Sequence, residues 1–135
     1  MTPQPEHCRR VEDREPGLEL LTVVLALDSE LSAAEALSML DGLDATSAPV
    51  VDDNQVLVGI VSTSQLALLR EDPEAEVEDA MSRDPLSATE HTSISEVARL
   101  LASQQLDRLP IVTAEGRLLG VITAMDVLRW FSDRR

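Results

Sequence analysis

Thr123 and Asp126 are the residues of this chain best placed to do chemistry rather than pack. They follow Leu118-Leu119-Gly120-Val121-Ile122, whose apolar residues read as a buried strand, and the residues after Thr123 follow helical spacing. Thr123 therefore falls at an N-cap, and Asp126 in the first helical turn. A threonine hydroxyl and a carboxylate at the mouth of a helix are polar groups beside free backbone amides, which favour anions. A carboxylate there can also accept one hydrogen bond from each hydroxyl of a vicinal diol, as in a ribose. The corner is suited to holding a nucleotide.

The elements that position this corner occur twice. Shifted by 61 residues, the difference between Pro110 and Pro49, the chain superimposes on itself without a gap from Leu25 to Leu69. Leu25 matches Leu86, Ser32 matches Ser93, Glu35 matches Glu96, Leu40 matches Leu101, Val51 matches Val112, Leu57 matches Leu118 and Gly59 matches Gly120. Ser62 stands where Thr123 stands, and Gln65 where Asp126 stands. Two units of about sixty residues are too few for a solenoid, which needs at least about three. They predict two halves sharing a core, packed face to face with pseudo-two-fold symmetry.

Within each copy the pattern predicts β-α-β-β-α, an α/β (α+β) fold. In the first copy, strands are expected at 23–27, 48–51 and 56–61. A helix follows the capping-box pair Ser32 and Glu35, with Ala33, Ala36, Leu37, Leu40 and Leu43 on its buried face and Gly42 near its stop. A second helix opens at Ser62-x-x-Gln65 and runs to about Arg70. In the second copy, residues 77–81 read as a short opening helix and 85–88 as a strand. Ser93 and Glu96 repeat the capping box. A hairpin joins 109–112 to 117–122 through Glu115-Gly116, and the last helix runs from Ala124 to about Phe131. The organisation is a solvated tail at 1–17, a first repeat at 18–70, a linker at 71–76 and a second repeat at 77–135.

Charge narrows the partners. The net charge is −14, which repels phosphate backbones and anionic membrane surfaces, so nucleic acid and membrane are not expected partners. A phosphorylated ligand needs locally placed arginines. Trp130 and Phe131 are the only aromatic residues, so the core is aliphatic and no aromatic stacking platform is expected. Cys8 is the only cysteine, which excludes an intramolecular disulfide. No apolar run has the length of a membrane span and no signal-peptide core is visible, so a cytoplasmic location is expected.

The motifs Leu109-Pro110-Ile111-Val112, Arg117-Leu118-Leu119-Gly120-Val121-Ile122-Thr123 and Asp126-Val127-Leu128-Arg129, with the opening Val77-Glu78-Asp79-Ala80-Met81, resemble the CBS domain, found in tandem pairs as the Bateman module. The resemblance covers about Leu25–Leu69 and Val77–Phe131. It implies a regulatory, energy-sensing type of module that binds AMP, ADP, ATP or S-adenosylmethionine in the cleft between two repeats and signals to an unidentified partner in trans. No obligatory cofactor is implied. The family's Thr/Ser-x-x-Asp corner, which holds ribose and phosphate, falls on Thr123 and Asp126. Its phosphate-facing basic position falls on Arg108, and its base-binding surface near Ser87, Ala88, Thr89, Leu109 and Ile111. The resemblance also implies a homodimer formed through the helices.

The first repeat departs from this pattern. Gln65 replaces the ribose-binding carboxylate and Ser47 replaces Arg108, so Ser62 and Gln65 mark a weak second site at most. The alternative is a CBS-type dimerisation or scaffold protein without ligand. No enzyme is expected: the sequence has no nucleophile–base pair, no metal-ligand cluster and no glycine-rich phosphate loop. His7 and Cys8 read as tail residues, His91 as a solvated loop residue, and the acidic residues 71–79 as a connector without cation-loop spacing. Arg129 reads as a last-turn cation favourable to the helix dipole.

Overall fold

The structure, a computed structural model, describes residues 25–133. The tail with His7 and Cys8, and the start of the apolar run at 18–24, lie outside the described residues. The chain forms two compact units, divided between Pro85 and Leu86.

The first unit contains β1 (Leu27–Asp28), α1 (Ala33–Gly42), β2 (Ser47–Val51), β3 (Leu57–Ser62), α2 (Thr63–Ala67), α3 (Val77–Ala80) and β4 (Ser82–Arg83). Its sheet has the order β1-β2-β3-β4, with β1 parallel to β2 and the other pairs antiparallel. The second contains β5 (Ala88–Thr89), α4 (Ile94–Ser103), β6 (Arg108–Val112), β7 (Leu118–Thr123) and α5 (Ala124–Asp133). Its sheet has the order β5-β6-β7, with β5 parallel to β6 and β7 antiparallel.

The duplication holds down to register. Ser47 faces Ser62 across the first hairpin as Arg108 faces Thr123 across the second. Both hairpins are irregular at the same point, between Val50/Val51 and between Ile111/Val112. Side chains alternate along each strand. Ala48, Val50 and Val61 thus join Leu40 and Leu66 in the first core, while Leu109, Ile111 and Ile122 join Val97, Leu101 and Val127 in the second. Both cores are aliphatic, as the composition requires.

Local chemistry corrects several boundaries. Gly42 is the last residue of α1. The turn beyond it is made by Asp44, in the left-handed region at φ 59°, with Ala45 N–H bonded to Leu40 C=O at 2.9 Å and Asp44 N–H to Asp41 C=O at 3.2 Å. Gln105, at φ 57°, ends α4 identically, with Leu106 N–H donating to Leu101 C=O at 2.9 Å. The chain turns away at this point, so Leu43 is 61% exposed and not on the buried face. The serine halves of both expected capping boxes form, Ser32 Oγ accepting from Glu35 N–H and Ser93 Oγ from Glu96 N–H. Glu96 instead turns its carboxylate to Arg99, which holds its pKa below the usual carboxylate range. α2 ends at Ala67 because Leu69 and Arg70 bond three residues back, to Leu66 and Ala67, closing the helix in a tighter turn. The strand expected at 85–88 is Ala88–Thr89, since Pro85 has no N–H for a ladder. The last helix extends to Asp133.

The helix α3 forms where the sequence places it, and it packs within the first unit. Val77 N–H donates to Leu31 C=O at 2.8 Å, Glu78 N–H to Ser29 C=O at 3.0 Å, and Ala33 N–H to Ala75 C=O at 2.9 Å. Beyond it, β4 pairs with Gly59 and Ile60. Gly59 permits this approach: a Cβ there would lie 2.5 Å from Met81 Sδ and 2.8 Å from Ser82 O.

Candidate functional site

The second-unit corner is built by the junction of β7 and α5. Thr123 Oγ1 accepts from Asp126 N–H at 3.0 Å, and Asp126 Oδ2 accepts from Thr123 N–H at 3.1 Å. This reciprocal pair satisfies two helix-end amides and fixes both side chains. Ala124 N–H donates to Asp107 C=O at 2.7 Å, which ties the helix start to the start of β6. Arg108 begins β6 directly opposite Thr123. Opposed residues of an antiparallel pair project from the same face with Cβ atoms about 5 Å apart. Thr123, Asp126 and Arg108 are therefore brought together, each partly exposed.

Arg129 completes the group. Its Nη1 lies 3.6 Å from Asp126 Oδ1, with the arginine side chain 71% exposed and the aspartate side chain 19%. Because α5 continues to Asp133, Arg129 is not in the last turn, and the dipole reading of this residue is replaced by a carboxylate partnership. The Asp-x-x-Arg spacing was the available signal.

The base-surface residues are placed differently. Ala88 pairs with Ile111, three residues along β6 from Arg108, or about 10 Å at the usual strand rise. Ala88, Leu109 and Ile111 are buried in the second core, so their side chains face the helices and only their main chain could meet a ligand. Ser87 is half-buried. Thr89 is exposed, and its N–H and hydroxyl engage Thr92 and the His91 N–H.

The first-unit corner has the same backbone and different chemistry. Ser62 Oγ accepts from Gln65 N–H at 3.2 Å, and Gln65 Oε1 accepts from Ser62 N–H at 2.8 Å. The Gln65 amide then donates from Nε2 to Ser82 Oγ at 3.0 Å. Sequence reasoning could not find that bond, which joins residues 17 apart through β4. Leu68, 84% exposed, occupies the position of Arg129.

The electrostatic settings differ as much. Residues 25–85 carry fourteen acidic side chains against two arginines, and residues 86–133 carry six against four. Crowding in the first unit is visible at Glu76, whose pKa is pushed up by desolvation and then by Glu78, Glu30, Asp79 and Asp28. Among the described residues no cluster of three or more His, Cys, Asp or Glu side chains could hold a metal ion, and no helix is long and apolar enough to cross a membrane.

The duplicated β-α-β-β-α unit and its corner have a family. A model described as CBS domain matches residues 20–71 and 77–133. The chain belongs to the CBS domain family. Among similar CBS structures, the CBS-pair protein CBSX2 from Arabidopsis thaliana superimposes with a TM-score of 0.78 at 30% identity, over 86% of this chain and 93% of that one. CBSX2 in complex with AMP gives 0.70 at 32% identity, over 87% and 92%. The cytosolic domain of the Mg2+ channel MgtE in complex with ATP gives 0.75 at 33% identity, over 88% and 49%. Inosine-5'-monophosphate dehydrogenase of Methanocaldococcus jannaschii is 32% identical over 106 residues, which is 78% of this chain and 21% of the dehydrogenase. The chain thus spans about a fifth of that enzyme's length.

Proposed function

We propose that this chain is a regulatory rather than catalytic module, which binds an adenosine nucleotide at the second-unit corner and conveys its occupancy to a partner protein. The observation that carries the reading is the set Thr123, Asp126 and Arg108 on one corner. In this reading Asp126 accepts from the ribose hydroxyls, Thr123 adds a hydroxyl, and Arg108 meets phosphate. The main chain of β5 and β6 near Ser87, Ala88, Thr89, Leu109 and Ile111 receives the base. Binding of AMP by CBSX2 and of ATP by the MgtE domain supports the ligand class. A ligand changes the module's behaviour only through unequal affinity for its states, and a partner reads that difference.

The first-unit corner is proposed to be silent, because the Gln65 amide is held by Ser62 and Ser82. Two chains are proposed to pair through α4 and α5. Between these helices lies an uncharged cavity of about 340 Å³, lined by Leu101, Leu106, Val127 and Leu128 among others, with Phe131 at its side. For a chain of charge −14, a face without carboxylates is where a second copy approaches at least cost.

Calorimetric titration with ATP, AMP and S-adenosylmethionine tests the reading. One site per chain is expected, weakened by about tenfold to a hundredfold in Asp126→Asn, which keeps an oxygen for the Thr123 amide and removes the charge. No heat with any of the three, and no rise in melting temperature, would leave the dimerisation scaffold instead.

A further inference from the structure

Three charged side chains distinguish the second corner from the first, and they occur together. Arg108, Asp126 and Arg129 correspond to Ser47, Gln65 and Leu68, so every charge at one corner is replaced by a neutral group at the other. The family resemblance gives ligand roles to the first two. Arg129 belongs to the motif Asp126-Val127-Leu128-Arg129 but receives no ligand role from it.

Its geometry gives it a role. Asp126 commits Oδ2 to the Thr123 amide, and Oδ1 is the oxygen turned towards Arg129. At 3.6 Å the contact exceeds hydrogen-bond length, so the guanidinium is held by charge rather than by a fixed bond. It is also the more exposed partner, at 71% against 19%, so it is the member of the pair with room to swing out. A ribose that reaches the carboxylate must share Oδ1 with this cation or move it aside. What happens to Arg129 then depends on the ligand. With phosphate present, the guanidinium passes from one anion to another and gains planar two-point contacts. With a neutral nucleoside it loses a partner and gains none, and with a sulfonium it meets a like charge. The local background is permissive, since residues 86–133 carry six acidic side chains against four arginines, and Arg99 is already taken by Glu96.

We infer that Arg129 is a specificity-determining residue, poised beside Asp126 to transfer to ligand phosphate, so that the corner selects phosphorylated adenosine ligands over adenosine and S-adenosylmethionine. The inference rests on the nucleotide reading of the same corner and names its ligand class.

The test is a titration series of the whole chain with ATP, AMP, adenosine and S-adenosylmethionine, for the wild type, Arg129→Gln and Arg129→Lys. The wild type is expected to bind ATP at least about tenfold more tightly than adenosine. Arg129→Gln is expected to lose about tenfold or more for ATP, with adenosine affinity unchanged or improved, and so to compress the ratio. Arg129→Lys keeps the charge and should restore part of it. Equal losses for ATP and adenosine in Arg129→Gln, or unchanged affinities for both, overturn the inference while leaving the site intact. A wild type that prefers S-adenosylmethionine also overturns it. A wild type that binds none of the four removes the nucleotide reading itself. Because the side chain is mostly exposed, an unchanged melting temperature is expected and confirms that affinity, not folding, has been altered.

Discussion

The two corners of this protein share a backbone to the level of a single hydrogen-bond pattern and diverge in what their side chains are free to do. At Ser62 the reciprocal cap closes through an amide, and that amide reaches on to Ser82. At Thr123 the cap closes through a carboxylate, whose second oxygen is turned towards an exposed arginine. Both solve the helix-start problem equally well, so capping alone does not select Asp over Gln. The difference teaches that a helix cap and a ligand site can be one set of atoms, and that the charge and the neighbour decide which it is.

The comparison is broken most decisively at Asp126. Asp126→Asn is expected to lower nucleotide affinity by about tenfold to a hundredfold, from the loss of charge-assisted bonds of about 1.5–3 kcal/mol, while Gln65→Asn has no effect on binding. Titration calorimetry reads both. The fluorescence of Trp130, the only tryptophan and four residues after Asp126, offers a second readout local to that corner.

A next effect, expected at about 1–3 kcal/mol, belongs to the other unit. Gly59→Ala forces a Cβ against Met81 Sδ and Ser82 O, which must shift. The change should appear as a lower thermal midpoint by circular dichroism. A midpoint equal to wild type would show that α3 and β4 do not seat on β3 as described.

Leu128→Glu tests the uncharged face. It places a carboxylate at a 62% exposed position beside the α4–α5 cavity, so the fold should tolerate it and self-association should be lost, read by sedimentation or light scattering. The Leu68→Glu change at an exposed first-unit position is the control, and should leave assembly unaltered.

The smallest effects are in pH. Glu76 has a raised folded-state pKa, so its destabilising charge is present above that pKa and is relieved as pH falls through it. Glu96 has a lowered one, so its contribution is present above the unfolded-state pKa and is lost as pH falls through the folded value. As pH falls, the relief at Glu76 begins above the ordinary glutamate pKa and the loss at Glu96 continues below it, so the two act in opposite directions. Glu76→Gln should flatten the first and Arg99→Ala the second in denaturant midpoints measured against pH.

Much of this was legible in the sequence. The 61-residue repeat announced two equivalent hairpins, and their registers agree residue for residue. Thr123 and Asp126 were legible because a cap is local, spanning three residues. The helix ends at Gly42, near where the sequence puts its stop, but the turn itself is made by Asp44, as by Gln105 after α4, each in the left-handed conformation without glycine. Leu43 lies in that turn and is exposed rather than on the buried face. The Gln65–Ser82 bond and the Met81–Gly59 contact were illegible because both depend on β4 folding back onto β3, a tertiary event without a local pattern.

That return of the chain has a practical consequence. The first aliphatic core is completed by Ala75, Val77 and Met81, residues that a reader of the repeats would assign to the connector and the later copy. A gene cut at the join between copies would produce a fragment missing its own plug, with Gly59 facing an unfilled notch and an unpaired strand edge along β3. Anyone wishing to express, swap or fuse one half of this protein should carry the incision past Pro85, where the polypeptide has finished closing what it began at Leu25.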